Sequence, residues 1–447
     1  MDQNIDELKE LPFPSPEAGR STLVALITKR NILALLEAVH KEMGNIFRIP
    51  LPGFKPVFLV GPEANKFVTV TNRNDLRWRS EGDPVTEVLR EGLLVTDGAM
   101  HDNIRHTVNP ALHKKLLEVY FERMLLRTNQ VLGDWKNNQI LDMLIEMRKI
   151  ALLIIIDTLY HQDFTHELNT LWVDIKKLLA HISPGIWVIF PDVPRPGHRR
   201  SLKKLDDYMY KIIKERRNNP LPVNDLLGVL VNAEDFDDNL IRDQLMTIFI
   251  AGHDTSTATL AWALYLLASH PEILKKAQDE IDEVIGVEVP TFEAMSRLEY
   301  LDKIIREALR LYPPIHIGNR RAAKDLVFQN YRIPSGTRVV YSIYLTHRME
   351  KYWPEPTRFN PERFNSENIN KRPPYSYIPF GGGPRNCIGM AFAIIEAKLV
   401  LSCVLQKFDF DFPPGEFKKI HPHMGATLEP SPGVKLKISY RPFVTQK

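Results

Sequence analysis

The sequence predicts a mainly α protein with a small β part, an α+β chain, and three observations carry that reading. Apolar residues recur at helical spacing through the middle, from about residue 112 to 268, as at Leu116, Val119, Tyr120 and Met124. Short strand-like runs lie on both sides of that middle, at about 45–70, 320–345 and 430–441. No repeat period and no low-complexity linker divides the chain, so residues 1–447 read as one interleaved body whose strand-rich ends pair with one another.

In chain order, Pro12 and Pro14 mark an entry segment, and Pro50, Pro52, Pro56 and Pro62 punctuate short extended runs. Phe47-Arg-Ile-Pro followed by Pro56-Val-Phe-Leu-Val-Gly reads as strand, turn, strand. A long helix is expected from about 238 to 268, about 45 Å at 1.5 Å per residue. Leu326-Val-Phe and Arg338-Val-Val-Tyr-Ser-Ile-Tyr form a second strand patch. From Pro354 to Pro384 prolines, glycines and aromatics follow no period, which predicts a long ordered meander. A helix resumes from Ala391 to Leu405, and Val434-Lys-Leu-Lys-Ile-Ser-Tyr alternates as a strand.

Composition narrows the function classes. A chain of 447 residues, 44% of them apolar, can bury roughly 75% of its unfolded surface without covalent staples. Two cysteines exclude a disulfide scaffold and a four-cysteine zinc module, and they fit a reducing compartment. A net charge of +3 gives no general argument for nucleic acid. The acidic start, Met1-Asp-Gln-Asn-Ile-Asp-Glu, has no apolar signal segment, and the most apolar stretches are too short to span a bilayer.

The first chemical signal is Phe380-Gly-Gly-Gly-Pro-Arg-Asn-Cys-Ile-Gly, ending at Gly389. Glycines permit backbone shapes and close approaches that a Cβ blocks. Cys387 stands just before a helix start, where free N–H groups and the helix dipole favour a thiolate, and Arg385 adds positive charge. A Gly-rich turn holding one buried cysteine is the plainer reading. A phosphate loop is weaker, because Gly-Lys-Ser/Thr is missing.

This run resembles the haem-binding signature of the cytochrome P450 family, Phe-x-x-Gly-x-Arg-x-Cys-x-Gly, at every defined position. The resemblance implies the P450 fold and a haem b (iron protoporphyrin IX) cofactor with Cys387 as axial thiolate. Phe380 would pack near the sulfur, Gly389 would complete the loop, and Arg385 would reach a propionate. Cys403, inside an apolar helix pattern, reads as core packing.

The resemblance extends along the chain. Glu307-Ala-Leu-Arg310 and Phe359-Asn-Pro-Glu-Arg363-Phe are similar to the paired family elements whose glutamate and two arginines form a buried structural triad. Ala251-Gly-His-Asp254-Thr255 is similar to the family's oxygen-activation motif. That similarity implies that Thr255 meets the distal ligand, that Asp254 relays protons, and that Ala251 and Gly252 leave room in a locally opened groove. His253 fills a variable position and reads as a residue without catalytic duty. His101 and Arg105, at i and i+4, resemble a propionate-binding pair, and Arg320 matches a further family propionate contact; a surface charge is the plainer reading of each.

The implied reaction is monooxygenation with O2 and two electrons. No dinucleotide element or flavin region is evident, so a separate ferredoxin- or flavodoxin-type donor with its reductase is expected. Lys114, Lys115 and Lys398 are candidate docking charges for it. The family's substrate contacts fall on about 76–95, 157–199, the surroundings of Ile248 and the stretch after Pro314. Trp78, Trp172, Trp187, Phe190, Ile315 and Ile317 make a lipophilic small molecule the expected substrate: a fatty acid, a terpenoid or a steroid-like compound. Arg77 and Arg79 could recognise a carboxylate. The expected protein is a cytoplasmic, soluble monomer of bacterial type. A P450-fold peroxygenase or isomerase and a non-enzymatic haem sensor or carrier are the alternatives.

Overall fold

The computed structural model describes residues 8–15, 32–49, 55–80, 82–183 and 197–442. The longer helices are α1 (Ile32–Met43), α2 (Gly98–Val108), α3 (Leu117–Leu132), α4 (Met143–Tyr160), α5 (Thr165–Ile182), α6 (His198–Asn218), α7 (Asp238–Ser269), α8 (Pro271–Val284), α9 (Glu299–Leu311) and α10 (Met390–Lys407).

Helix α7 organises the molecule. Asp237 caps it, accepting a hydrogen bond from the Leu240 N–H at 2.8 Å, and Pro271 stops its continuation. Its 32 residues make it about 48 Å long. It is buried on nearly every side and lies inside the fold rather than across its surface. Helix α4 is buried in the same way, because Ile150-Ala-Leu-Leu-Ile-Ile-Ile leaves no polar face. The two pack along each other. A Cβ on Gly252 would stand 2.6 Å from Ile155 Cδ1, so the glycine sets how closely α7 and α4 approach. Tyr160 of α4 donates its hydroxyl to the Leu245 carbonyl of α7 at 2.5 Å.

The β part is a five-stranded sheet with three small companions. Strands β1 (Ile46–Arg48), β2 (Val57–Leu59), β3 (Leu76–Arg77), β5 (Ile317–Ala322) and β8 (Arg338–Ser342) lie in the order β1-β2-β8-β5-β3. The β2–β8 pair is parallel, Val57 opposite Val339, so the whole helical middle forms the crossover between them. The expected pairing of the strand-rich ends holds for these two regions. It fails for the third. Strand β12 (Lys435–Tyr440) lies between β4 (Ile140–Asp142) and β9 (Phe408–Asp411) in a sheet of its own. Strands β6 (Leu326–Phe328) and β7 (Tyr331–Ile333) form one hairpin, β10 (His421–Met424) and β11 (Leu428–Ser431) another.

One further expectation changes. Val119 is 63% exposed; the buried face of α3 is Leu117, Tyr120, Phe121 and Met124, shifted by one position. Trp187 and Phe190 lie outside the described residues, as do Pro50 and Pro52.

Candidate active site: a cysteine loop beneath a buried helix

The cysteine loop is built by its glycines. Gly381 and Gly383 have φ of 73° and 63°, and a Cβ on Gly383 would lie 2.3 Å from the Thr69 carbonyl oxygen. Only glycine meets both demands. The Cys387 N–H donates to the Phe380 carbonyl at 2.8 Å, closing the loop, and the Phe380 ring packs against the main core. Gly389 caps α10, and its N–H donates to the Cys387 sulfur. Burial pushes the thiol up; this N–H and the charge of Arg105 pull it back. Cys387 keeps accessible surface although it lies deep among protein atoms, so its sulfur faces a space within the fold. Cys403 is buried in α10, its thiol pushed up to about 12 by burial, and serves as core packing.

Three cations surround the loop and its approach. Arg105 of α2 donates to the Asn386 carbonyl at 2.9 Å and to its Oδ1 at 2.8 Å, gripping the residue before the cysteine. Arg385 donates to the Thr96 carbonyl and to Asp97 Oδ1 at 2.8 Å. Asp97 also accepts from the N–H groups of Trp78 and Arg79, which ties the loop to the start of α2. Arg320 is buried on β5; Arg385's own burial, and then the charge of Arg320, hold Arg385 down at about 10. His101 is buried beside Asp102 at 2.9 Å; burial lowers its pKa, and Arg385 and Arg105 push the same way. His101 and Arg385 line a cleft of about 810 Å³ with Asp97 and Asp102. Arg73, Arg77, Arg79 and Arg321 line it too, so among the described residues five arginines stand with three acids, Glu91, Asp97 and Asp102, and the edge fits a ligand carrying carboxylates.

On the opposite side stands α7. Ala251, midway along a buried helix, is exposed, and Thr255 is partly so, which marks one strip of α7 as facing open space. The Thr255 hydroxyl donates to the Ala251 carbonyl at 2.7 Å. Ser256 donates to Glu396 Oε2 at 2.5 Å, joining α7 to the helix that follows the cysteine. Glu396 is enclosed, and burial pushes its carboxyl up to about 8. Helix α7 runs unbroken through this stretch, so the expected opening of the groove is absent, and Gly252 meets Ile155. Hydrogen bonds from Thr255, His253 and Thr257 to carbonyls four residues earlier decorate the turns without breaking them. His253 is buried, bonded to the Phe249 carbonyl at 2.5 Å and pushed down to about 4 by burial, so it is neutral core.

Asp254 points elsewhere than Thr255. It is buried and accepts from Arg148 of α4 at 3.0 Å and from Thr427 at 2.9 Å. Arg148 also donates to Glu429 on β11. Burial, and then the nearby Asp254, raise Glu429 well above the ordinary carboxylate range. Arg148, Thr427 and Glu429 were not among the residues singled out in the sequence. The available signal was a lone arginine at the edge of the most apolar helix.

The residues of the expected triad do meet. Arg310 donates to both carboxylate oxygens of Glu307, at 2.7 and 2.8 Å, and Arg363 forms an ion pair with Glu307 at 3.3 Å. Arg310 also donates to the carbonyls of His347, Pro356 and Arg358, so it pins the start of the meander. Of the three candidate docking lysines, Lys114 and Lys115 are exposed. Lys398 is buried, donating to the Met295 carbonyl at 3.0 Å and pairing with Asp302, because its face of α10 turns inward.

Residues 12–438 match the cytochrome P450 family. The chain belongs to that family. Cytochrome P450 139 of Mycobacterium tuberculosis is 31% identical over 418 residues, 90% of this chain and 96% of that protein. Cyclooctat-9-en-7-ol 5-monooxygenase of Streptomyces melanosporofaciens is 30% identical over 350 residues, 74% of this chain and 75% of that one. Among solved structures, the cytochrome P450DA heme domain superposes with a TM-score of 0.85 at 26% identity, covering 97% of this chain and 98% of that chain. The mainly α architecture is therefore the P450 fold, and the chain is a cytochrome P450 monooxygenase of the haem-thiolate type. Among the described residues no helix is long and apolar enough to cross a membrane. The site fits the P450 cofactor: an accessible cysteine for the iron, and a cationic edge for the carboxylates.

Proposed function

We propose that this P450 inserts one oxygen atom into a lipophilic small molecule, of terpenoid, fatty-acid or steroid-like character, with Cys387 as the thiolate ligand of haem b. When bound, the thiolate-ligated haem supplies the activation of O2. Cys387 would hold it from below, its basicity tempered by the Gly389 N–H and by Arg105. Arg385 and Arg320 would neutralise the propionates and His101 would offer a hydrogen bond, with Arg105 steadying the loop through Asn386. The observation that carries the reading is the accessible Cys387 on a loop that leads into α10, the helix bonded through Glu396 and Ser256 to the helix bearing Thr255.

Proton supply follows from the α7 contacts. The Thr255 hydroxyl rests on the Ala251 carbonyl and can rotate to donate outward. Asp254 and Glu429 stand close enough to share a proton, with Arg148 offsetting their charge. We assign Glu429, partly accessible, as the entry point from which Asp254 is reprotonated.

Electrons would come from a separate ferredoxin- or flavodoxin-type donor and its reductase, with exposed Lys114 and Lys115 as docking charges. Ile248, one turn before the exposed Ala251 on α7, and a relative named for a cyclooctat-9-en-7-ol substrate favour the lipophilic class. Of the other expected contacts, Trp78 is half-buried against the core and Ile315 is exposed. The test is a screen of lipophilic compounds for low- to high-spin conversion, followed by turnover of the hits with donor, reductase and O2. A product one oxygen heavier supports the reading. Turnover with peroxide alone, and none with the donor, would replace it with a peroxygenase.

A further inference from the structure

Away from the cysteine loop, three helices bring together two histidines and a glutamate. Glu87 sits on the short helix Pro84–Leu89, His181 in the last turn of α5, and His198 at the first position of α6. His181 Nε2 lies 3.1 Å from Glu87 Oε2, and His198 Nε2 lies 2.9 Å from Glu87 Oε1. The two imidazoles are stacked, with ring centroids 3.7 Å apart and planes within 11°. One ligand atom from each residue falls within 4.8 Å of the others.

Both Nε2 atoms aim at that one carboxylate, His181 at Oε2 and His198 at Oε1. Each Nε2 lone pair lies in its own ring plane, so a single cation takes all three groups as ligands once one imidazole turns out of the parallel stack. Ligand bonds of about 2.0–2.2 Å to zinc place tetrahedral donors roughly 3.3 Å apart, close to the separations here. Two imidazoles and a carboxylate suit a borderline cation, and leave a fourth position for water.

We propose that Glu87, His181 and His198 form a binding site for a divalent transition-metal cation of the zinc class, tying the Pro84–Leu89 helix to α5 and α6. None of the three residues is assigned to the cofactor or to the reaction, so the site stands whether or not the proposed substrate is correct.

The experiment uses the haem-loaded full chain, with Zn2+ for calorimetry and thermal melting and Co2+ for its visible absorption. The expected result is one saturable equivalent, a melting temperature that rises with free Zn2+, and a cobalt band of four- or five-coordinate type. Glu87→Gln and His198→Gln alter partly exposed side chains. Each should abolish the saturable equivalent while the reduced carbonyl spectrum stays unchanged, which shows the fold intact. Absence of saturable binding in the wild type overturns the proposal. So does binding that both variants retain, which would mark adventitious capture by other histidines.

Discussion

Asp254 and Arg148 meet at 3.0 Å across the α7–α4 interface, and both side chains are buried. The acid of the oxygen-activation motif is thereby held in a charged cluster with Glu429 and Thr427. Removing one partner of a buried pair leaves an uncompensated charge, at a cost of about 3–5 kcal/mol. Arg148→Met should therefore lower the stability of the holoprotein by about that amount, read as a shift in urea midpoint. Glu429→Gln keeps the shape and should cost far less. It should still slow product formation per electron consumed if Glu429 feeds Asp254. Unchanged coupling in Glu429→Gln would remove Glu429 from the proton route.

Glu396 makes a prediction about pH. Burial holds its carboxyl at about 8, above the ordinary 4.5, so the folded state favours the protonated form. The stability this group contributes is complete below about 4.5 and is lost as pH rises through about 8. Glu396→Gln cannot ionise and keeps an acceptor for Ser256. The variant should gain on the wild type in melting temperature between pH 5 and about 8, with the difference level beyond. Parallel melting curves across that range would contradict the assignment.

The loop glycines separate strict positions from permissive ones. Gly383→Ala meets both a left-handed backbone, costing roughly 1–2 kcal/mol, and a carbonyl oxygen 2.3 Å from the new Cβ. It should sharply reduce haem retention during purification. Gly389 has φ of −90° and nothing within 4 Å of an added Cβ. Gly389→Ala should fold as the wild type does, so any haem lost there reports contact with the haem rather than loop strain. The comparison is haem-to-protein ratio after gel filtration.

The triad should behave as a fold element rather than a catalytic one. Glu307→Gln leaves Arg310 and Arg363 facing each other without a counter-charge, both largely buried. A loss of about 3–5 kcal/mol is expected, with spin-shift titrations unchanged in whatever protein folds. A variant of wild-type stability with altered substrate binding would reverse that assignment.

What was legible in the sequence was local. The cysteine loop, the Glu307–Arg310 spacing and the α7 motif each sit within a dozen residues, and their chemistry follows from residue type and spacing. The long helix was also legible, because no proline falls between Asp237 and Pro271 and apolar residues dominate the run. Long-range choices were not. Strand β12 alternates correctly, but nothing in it says that its partners are residues 140–142 and 408–411 rather than the larger sheet. Lys398 looks like a docking charge until the inward rotation of α10 is known. Arg148 becomes meaningful only when α4 and α7 are placed together. Ala251 and Gly252, adjacent in the motif, part company for the same reason: one faces open space, the other Ile155.

The central claim is that Cys387 is the thiolate ligand, and one spectrum tests it directly. The dithionite-reduced holoprotein with carbon monoxide should show the strongly red-shifted Soret band of a thiolate-bound haem, and Cys387→Ser should lose that band. Retention of the band in Cys387→Ser, or its absence from the wild type, would contradict the assignment.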